Sequence, residues 1–407
     1  MIHHDAPHYD APHYDAIVLG AGAAGMMCAL TAGQGGARVL VLDHAPHAGA
    51  KILISGGGRC NFTNLHTTSE RFFSANPRFA RSALGRYTPG HFVSLVQRHA
   101  IPFHEKTLGQ LFCDGSARAI VAMLLAECEA AGVTIRLSHR ITGLSRGESF
   151  RVETDRGAFG ARCLVLATGG LSIPKLGATG FAYEAARRFG LRLTEIRPGL
   201  VPLTFGEDLL ALMRPLAGVA LETEVSLGRD RFREASLFTH RGMSGPAILQ
   251  ISSCWREGPI TVNLVPDRDP AAFLLDRKRE RPKAELRTVL AEVLPQRLAQ
   301  ALAEHTLAGD EKKRMADLPD RILRDLAARL SSWRITPNGT EGYGKAEVTM
   351  GGIDTRDLSS RTLEANAVPG LYAIGEALDV TGWLGGYNFQ WAWASGWCAG
   401  EAIAAKV

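Results

Sequence analysis

Two glycine-rich stretches within the first 64 residues have the composition of anion cradles, and they differ in what accompanies them. The first is Gly20-Ala21-Gly22-Ala23-Ala24-Gly25, directly after the apolar run 16–19. In a strand–turn–helix unit, Gly20 permits the tight turn and Gly22 lets the backbone approach a pyrophosphate. Gly25 lets the helix pack on the strand, with Ala24 beside it in the first helical turn. The N–H groups opening the helix then face the phosphate charge. A second apolar run, 38–42, ends in Asp43, 18 residues past Gly25, where a carboxylate accepts both ribose hydroxyls of an adenosine and disfavours a 2′-phosphate. This combination of strand, helix, second strand and acid predicts an adenine dinucleotide, FAD or NAD.

The far end of the chain separates those two. A predicted strand at 371–374 runs into Gly375-Glu376, with Asp379 close behind. A glycine–acid pair in this place reaches the ribitol or pyrophosphate of a flavin nucleotide; the usual acid is aspartate, and here it is glutamate. Gly385-Gly386-Tyr387-Asn388 then opens a long helix in which Ala392, Gly396 and Gly400 recur every fourth residue, a flat face for close packing. The start of that helix can aim N–H groups at the pyrimidine edge of a flavin, where negative charge grows on reduction. A third segment, 163–170, is a strand ending in Ala167-Thr168-Gly169-Gly170. Together these three segments favour FAD over NAD.

The elements that must carry these residues make an α/β chain: a Rossmann-like FAD-binding domain, discontinuous in sequence, with an inserted β-rich domain and a small helical subdomain. The boundaries read as a disordered tail over 1–14, in which DAPHY occurs twice, and a first FAD-domain part over 15–190. A β-rich insert at 191–270, a helical subdomain at 271–339 and the second FAD-domain part at 340–407 follow. Segments 217–226, 231–238 and 259–264 alternate apolar and polar residues as half-buried strands do, and 284–332 has helical spacing. No second GxGxxG stands in the insert, so a dedicated NAD(P)H domain is absent, although a nicotinamide donor can still bind transiently against the flavin.

Composition sets the outer limits. The seven cysteines are odd in number and none has CxxC spacing, which excludes a disulfide framework or zinc site and fits a reducing cytoplasm. No run of about 20 apolar residues is present, so no membrane span is expected. A net charge of +5 permits a polyanionic partner without demanding one. Nothing suggests a stable protein partner, a metal centre or a Ser/His/Asp triad.

Five blocks carry a resemblance: KILISGGGRCNFTN (51–64), GGLSIPKLGATG (169–180), FTHRGMSGPAILQISS (238–253), AEVTMGGID (346–354) and GEALDVTGWLGGYNFQWAWASG (375–396). In order along the chain they resemble the BaiN/YhiN-like FAD-dependent oxidoreductases, bacterial flavoproteins that include proteins described as aminoacetone oxidases. The resemblance implies that the second glycine-rich stretch passes the same FAD rather than a second nucleotide. Lys51, Gly57, Arg59, Cys60, Asn61 and Lys175 are then candidates for contact with the cofactor. Thr349, Tyr387, Asn388 and Trp391 are candidates near the ring, and His240 with Arg241 could meet an anionic substrate. Cys60 lacks the partner, five residues on, that a disulfide reductase needs, since Leu65 stands there; it is either a packed small residue or a flavin-facing thiol.

Two substrate readings follow. In the first, a small amine, carbonyl or enone compound is oxidised or reduced at the flavin. In the alternative, uridine in ribosomal RNA becomes dihydrouridine, a chemistry linked to family relatives. For the alternative, Arg71, Arg78, Arg81 and Arg86 interleave with Phe72, Phe73, Phe79 and Tyr87, cations for phosphates and aromatics for bases. The same stretch also reads as an amphipathic helix with its apolar side in the core. A low-turnover flavin sensor or scaffold is a third possibility.

Overall fold

The computed structural model describes residues 13–307 and 313–407. The tail expected over 1–14 lies outside the described residues except for His13 and Tyr14, with which the first strand begins. Two compact units are present, one built from the chain up to Arg197 together with Val348–Val407, the other from Pro198–Glu347.

The first unit is organised on a seven-stranded sheet. Its strands are β1 (His13–Leu19), β2 (Val39–Leu42), β3 (Thr134–Arg136), β4 (Ile141–Arg146), β5 (Phe150–Thr154), β6 (Gly157–Leu166) and β7 (Leu371–Ala373), in the order β3-β2-β1-β6-β5-β4 with β7 also beside β6. The β3, β2, β1, β6 and β7 pairings are parallel, whereas β4, β5 and the start of β6 form an antiparallel meander. The sequence patterns explain the split. β2 is the unbroken apolar run Val39-Leu40-Val41-Leu42 and is wholly buried, as a strand covered on both faces must be. In β5, Phe150 and Val152 are buried while Arg151 and Glu153 are exposed, the alternation of a sheet with one solvated face.

Helix α1 (Ala23–Gln34) follows β1, and helix α2 (Tyr387–Ala404) packs against it. A Cβ at Gly396 would lie 2.5 Å from the Ala24 carbonyl oxygen, and one at Gly400 would lie 2.7 Å from that of Cys28. The small-residue face predicted for α2 is therefore the face on which the two backbones meet. Trp391 and Trp393 are buried core residues, each donating its indole N–H to a carbonyl, Gly375 at 3.0 Å and Phe62 at 2.8 Å.

The arginine–aromatic stretch resolves as the amphipathic alternative. Phe72, Phe79 and Tyr87 are buried. Arg71 and Arg86 lie over the rings of Trp383 and Trp397, at 4.2 and 5.0 Å, leaving Arg78 and Arg81 exposed. The aromatics are spent on the core and cannot stack on bases.

The second unit holds a seven-stranded antiparallel sheet in the order Trp333–Ile335, Ile260–Asn263, Ala220–Leu227, Asp230–Thr239, Gly242–Ser244, Leu203–Thr204 and Gly339–Thr340. Residues 191–270 and 271–339, separated in the sequence reading, are joined here. After the helical stretch the chain returns to the sheet, where Ile335 pairs with Ile260 and Thr340 with Leu203. Among the described residues no helix is long and apolar enough to cross a membrane, and no group of three or more His, Cys, Asp or Glu residues could hold a metal ion.

Candidate functional site

The parallel strands β1, β2, β6 and β7 end at one edge of their sheet, where ligands of open α/β sheets bind. Their C-terminal extensions are Gly20–Gly25, Asp43, Ala167–Gly170 and Gly375–Glu376. A Cβ at Gly20 would lie 2.5 Å from the Ala167 carbonyl oxygen, and one at Gly25 would lie 1.9 Å from that of Gly20, so turn and helix close on each other. Gly22 differs: a Cβ there meets nothing within 4 Å, and no side chain caps α1. Asp43 locks the turn, accepting from Ala21 N at 2.7 Å and Ala45 N at 2.8 Å. Beside the turn, the Thr168 hydroxyl is buried with no hydrogen-bond partner.

Glu376 is the hub of a second cluster. Its carboxylate accepts from Lys51 Nζ at 2.5 Å, Ser172 Oγ at 2.7 Å and Thr349 N at 3.0 Å. Lys51 Nζ also donates to Ser172 Oγ at 2.5 Å. Thr349 Oγ1 accepts from Leu171 N and Ser172 N, fixing the loop that presents Ser172. Burial alone would push the Glu376 carboxyl up, but Lys51, then Ser172 and the Thr349 N–H, hold it below the ordinary glutamate range. Lys51 comes from the short helix Ala50–Ile54, Ser172 from the segment after β6, Glu376 from the segment after β7 and Thr349 from the strand Val348–Met350. Four segments distant in sequence thus converge on one carboxylate.

The second glycine-rich stretch leads into a three-stranded sheet of Asn61–Asn64, Gln110–Cys113 and Phe103–Glu105. Gly56, Gly57 and Gly58 have φ of 56°, 67° and 84°, a left-handed run that glycine adopts without penalty. This sheet holds the start of α2. Asn64 Nδ2 donates to Gly385 O at 2.8 Å, and the Asn61 amide, turned to satisfy its neighbours, accepts from Gly386 N at 3.3 Å. Thr63 Oγ1 donates to Gln390, which reaches the Tyr87 carbonyl. A Cβ at Gly386 would lie 2.4 Å from Thr63 O.

Several candidates serve other partners. Asp379 accepts from Ala75 N at 2.8 Å and so anchors the segment after Phe73; burial raises its carboxyl. The Asn388 amide is spent on Gly382 and Trp383, and Tyr387 packs edge-on to Phe72. Lys175 sits on an exposed turn, Arg59 is exposed beside Gly57, and Gly169 has a φ of 73°. In the other unit, His240 and Arg241 form an exposed hairpin tip, with Arg241 3.6 Å from Glu341. Sequence reading missed Ser172, Asn64, Thr63, Gln110 and Gln390. Only Ser172 left a signal, as the polar residue between the paired glycines and Pro174.

Cys60 is fully buried, and burial pushes its thiol up to about 12. It is a packed residue without thiolate character. In the folded protein Cys60 should resist iodoacetamide at pH 8 and become labelled only on unfolding, read out by peptide mass spectrometry. Labelling at the rate of a free thiol would contradict this placement.

The HI0933-like protein Rossmann domain matches residues 14–402. The chain belongs to the HI0933-like family. A ribosomal RNA dihydrouridine synthase of Escherichia coli (strain K12) is 51% identical over 96% of this chain and 98% of its own length. The protein of the same name from Haemophilus influenzae is 44% identical over 95% of this chain and 98% of its own. A 3-dehydro-bile acid delta(4,6)-reductase of Clostridium scindens is 30% identical over 96% and 98%. These findings bear out the resemblance read from the five blocks and place the chain among Rossmann-fold enzymes of redox chemistry.

Proposed function

We propose that this protein is an FAD-dependent oxidoreductase that reduces a uridine of ribosomal RNA to dihydrouridine. The observation that carries the reading is the 51% identity to the Escherichia coli enzyme, which extends over nearly the whole of both chains. Two relatives named for ribosomal RNA, at 51% and 44%, stand against one named for a bile acid at 30%. The small amine, carbonyl or enone substrate is accordingly the weaker reading. The two named chemistries are related: the uracil C5–C6 double bond is conjugated to a carbonyl, as is the dienone of a 3-dehydro-Δ4,6 steroid.

The residues present fit FAD. The uncapped start of α1, the open backbone at Gly22 and the unpartnered Thr168 hydroxyl supply hydrogen-bonding capacity for a pyrophosphate. Gly20, Ala24 and Gly25 shape that turn, and Asp43 would hold the adenosine ribose. Lys51, Ser172, Gly375 and Glu376 would meet the pyrophosphate and ribityl region. Gly57, Arg59, Asn61, Gly169, Lys175 and the Gly386 turn would border the ring. Asp379, Cys60, Tyr387 and Asn388 would act on the site indirectly, by holding the segments that form it. Bound FAD supplies the two-electron chemistry. A nicotinamide donor would bind only transiently, and a ribosomal RNA substrate would place the protein in the cytoplasm.

The test is anaerobic photoreduction of the purified protein, followed by mixing with ribosomal RNA from a strain lacking it. Return of the oxidised flavin absorbance, with dihydrouridine in the nucleoside digest, is the expected result. Indifference to RNA combined with rapid reoxidation by a conjugated enone would overturn the reading.

A further inference from the structure

We infer that the outer face of the Asn61–Asn64 sheet is a docking surface for single-stranded RNA, formed by Leu65, Leu108, Ile54 and Phe112 with Lys106 and Arg118 at its margins. The inference rests on the ribosomal RNA reading and adds where on the chain the RNA binds. Among the described residues five large hydrophobic side chains are exposed, and three of them are Leu108 at 60%, Leu65 at 47% and Ile54 at 47%. They are close in the fold. Leu65 N donates to Gly109 O at 2.8 Å, which sets Leu65 beside the hairpin tip that carries Leu108. A Cβ at Gly56 would lie 2.8 Å from the Phe112 ring, so the loop after Ile54 lies on the same sheet.

Leu108 is also held at a φ of 53°, where a bulky side chain costs energy that glycine or asparagine would spare. An exposed leucine in a left-handed turn is disfavoured twice over, which points to a use outside the folding of the chain itself. The same segments hold the start of α2 from their other side, through Asn61 and Asn64. The apolar surface is therefore the outer wall of the proposed flavin site.

Charge selects the occupant. Glu105 is engaged by Gly109 N at 3.1 Å and Asp114 by His104 at 2.6 Å. Lys106 lies 5.5 Å over the Phe112 ring, and Lys106, Arg59 and Arg118 are exposed. None of these three cations has an ion-pair partner among the described residues. Apolar and aromatic platforms bordered by unneutralised cations suit unstacked bases on a phosphate backbone.

The experiment uses the full-length holoprotein and deproteinised ribosomal RNA in a filter-binding titration. Leu65→Ser and Leu108→Asn are combined in one variant, and Lys106→Gln is made separately. Asparagine tolerates the left-handed turn, so the fold should hold, with FAD content and thermal midpoint as controls. Affinity should fall about tenfold in the double variant, the equivalent of losing one stacked base. Lys106→Gln should reduce the salt slope by about one. Wild-type binding with unchanged affinity in both variants would overturn the inference and leave the proposed function standing. Failure of the wild type itself to bind or be reoxidised by the RNA would remove both. Loss of a wild-type dimer in the double variant, with RNA affinity unchanged, would instead mark the surface as a contact between copies of this chain and overturn the inference.

Discussion

Lys51→Met is expected to release FAD on purification and to lower the thermal midpoint at pH 7. The substitution leaves the Glu376 carboxylate with Ser172 Oγ and the Thr349 N–H but without its cation. Stripping a partner from a fully buried ion pair costs about 3–5 kcal/mol. Lys51 is 37% exposed, so water screens part of that and about 2 kcal/mol is the expected loss, roughly 4–8 °C in midpoint. The pH dependence carries the diagnosis. In the wild type Glu376 is held below its ordinary value, so its stabilisation is complete above the usual glutamate range. It is lost as pH falls through the depressed value. In K51M burial dominates and the carboxyl is raised, so the variant gains relative to wild type on acidification. The difference in midpoint should be largest at neutral pH and close below about pH 4. Adding E376Q to K51M should recover much of the neutral-pH loss, because no unpaired charge remains. Calorimetry of the single and double variants between acid and neutral pH measures this. A midpoint difference independent of pH would show that Lys51 acts by packing alone.

Gly25→Ala and Gly22→Ala should separate folding from cofactor binding. At Gly25 the new methyl would stand 1.9 Å from the Gly20 carbonyl oxygen, and the turn must move. Overpacking of this kind costs about 1–3 kcal/mol, and the displaced turn should also lose FAD. At Gly22 the methyl meets nothing within the protein, and the backbone there, φ −86° and ψ −171°, suits alanine. G22A should therefore leave the midpoint of the FAD-stripped protein unchanged while weakening FAD binding in fluorescence titration. Unaltered FAD affinity in G22A would mean that the cofactor does not approach this backbone.

The elements that were legible in sequence are those governed by local rules. The apolar run of β2 reads as a strand because both faces are covered, and the four-residue spacing of Ala392, Gly396 and Gly400 reads as a packing face because a helix repeats on that interval. Gly20, Gly22, Gly25 and Asp43 could be assigned together because they lie within one strand–turn–helix–strand unit, whose geometry follows from its length. The ambiguous stretch 70–92 was different. Its arginines and aromatics satisfy two patterns equally, and only the contacts of Arg71 with Trp383 and Arg86 with Trp397, residues over 300 positions away in sequence, decide between them.

The same distinction runs through the site. By itself the sequence determined the fold class, the glycine turn, its acid, and the family to which they belong, because each is written in contiguous residues. Tertiary structure alone decided that Lys51, Ser172, Thr349 and Glu376 share one carboxylate. It also decided that Asp379 turns instead to Ala75, that Asn388 is spent on its own turn, and that Leu65 and Leu108 stand together in solvent. These are pairings across long stretches of chain, and a side chain's partner there depends on how the sheet brings strand ends together.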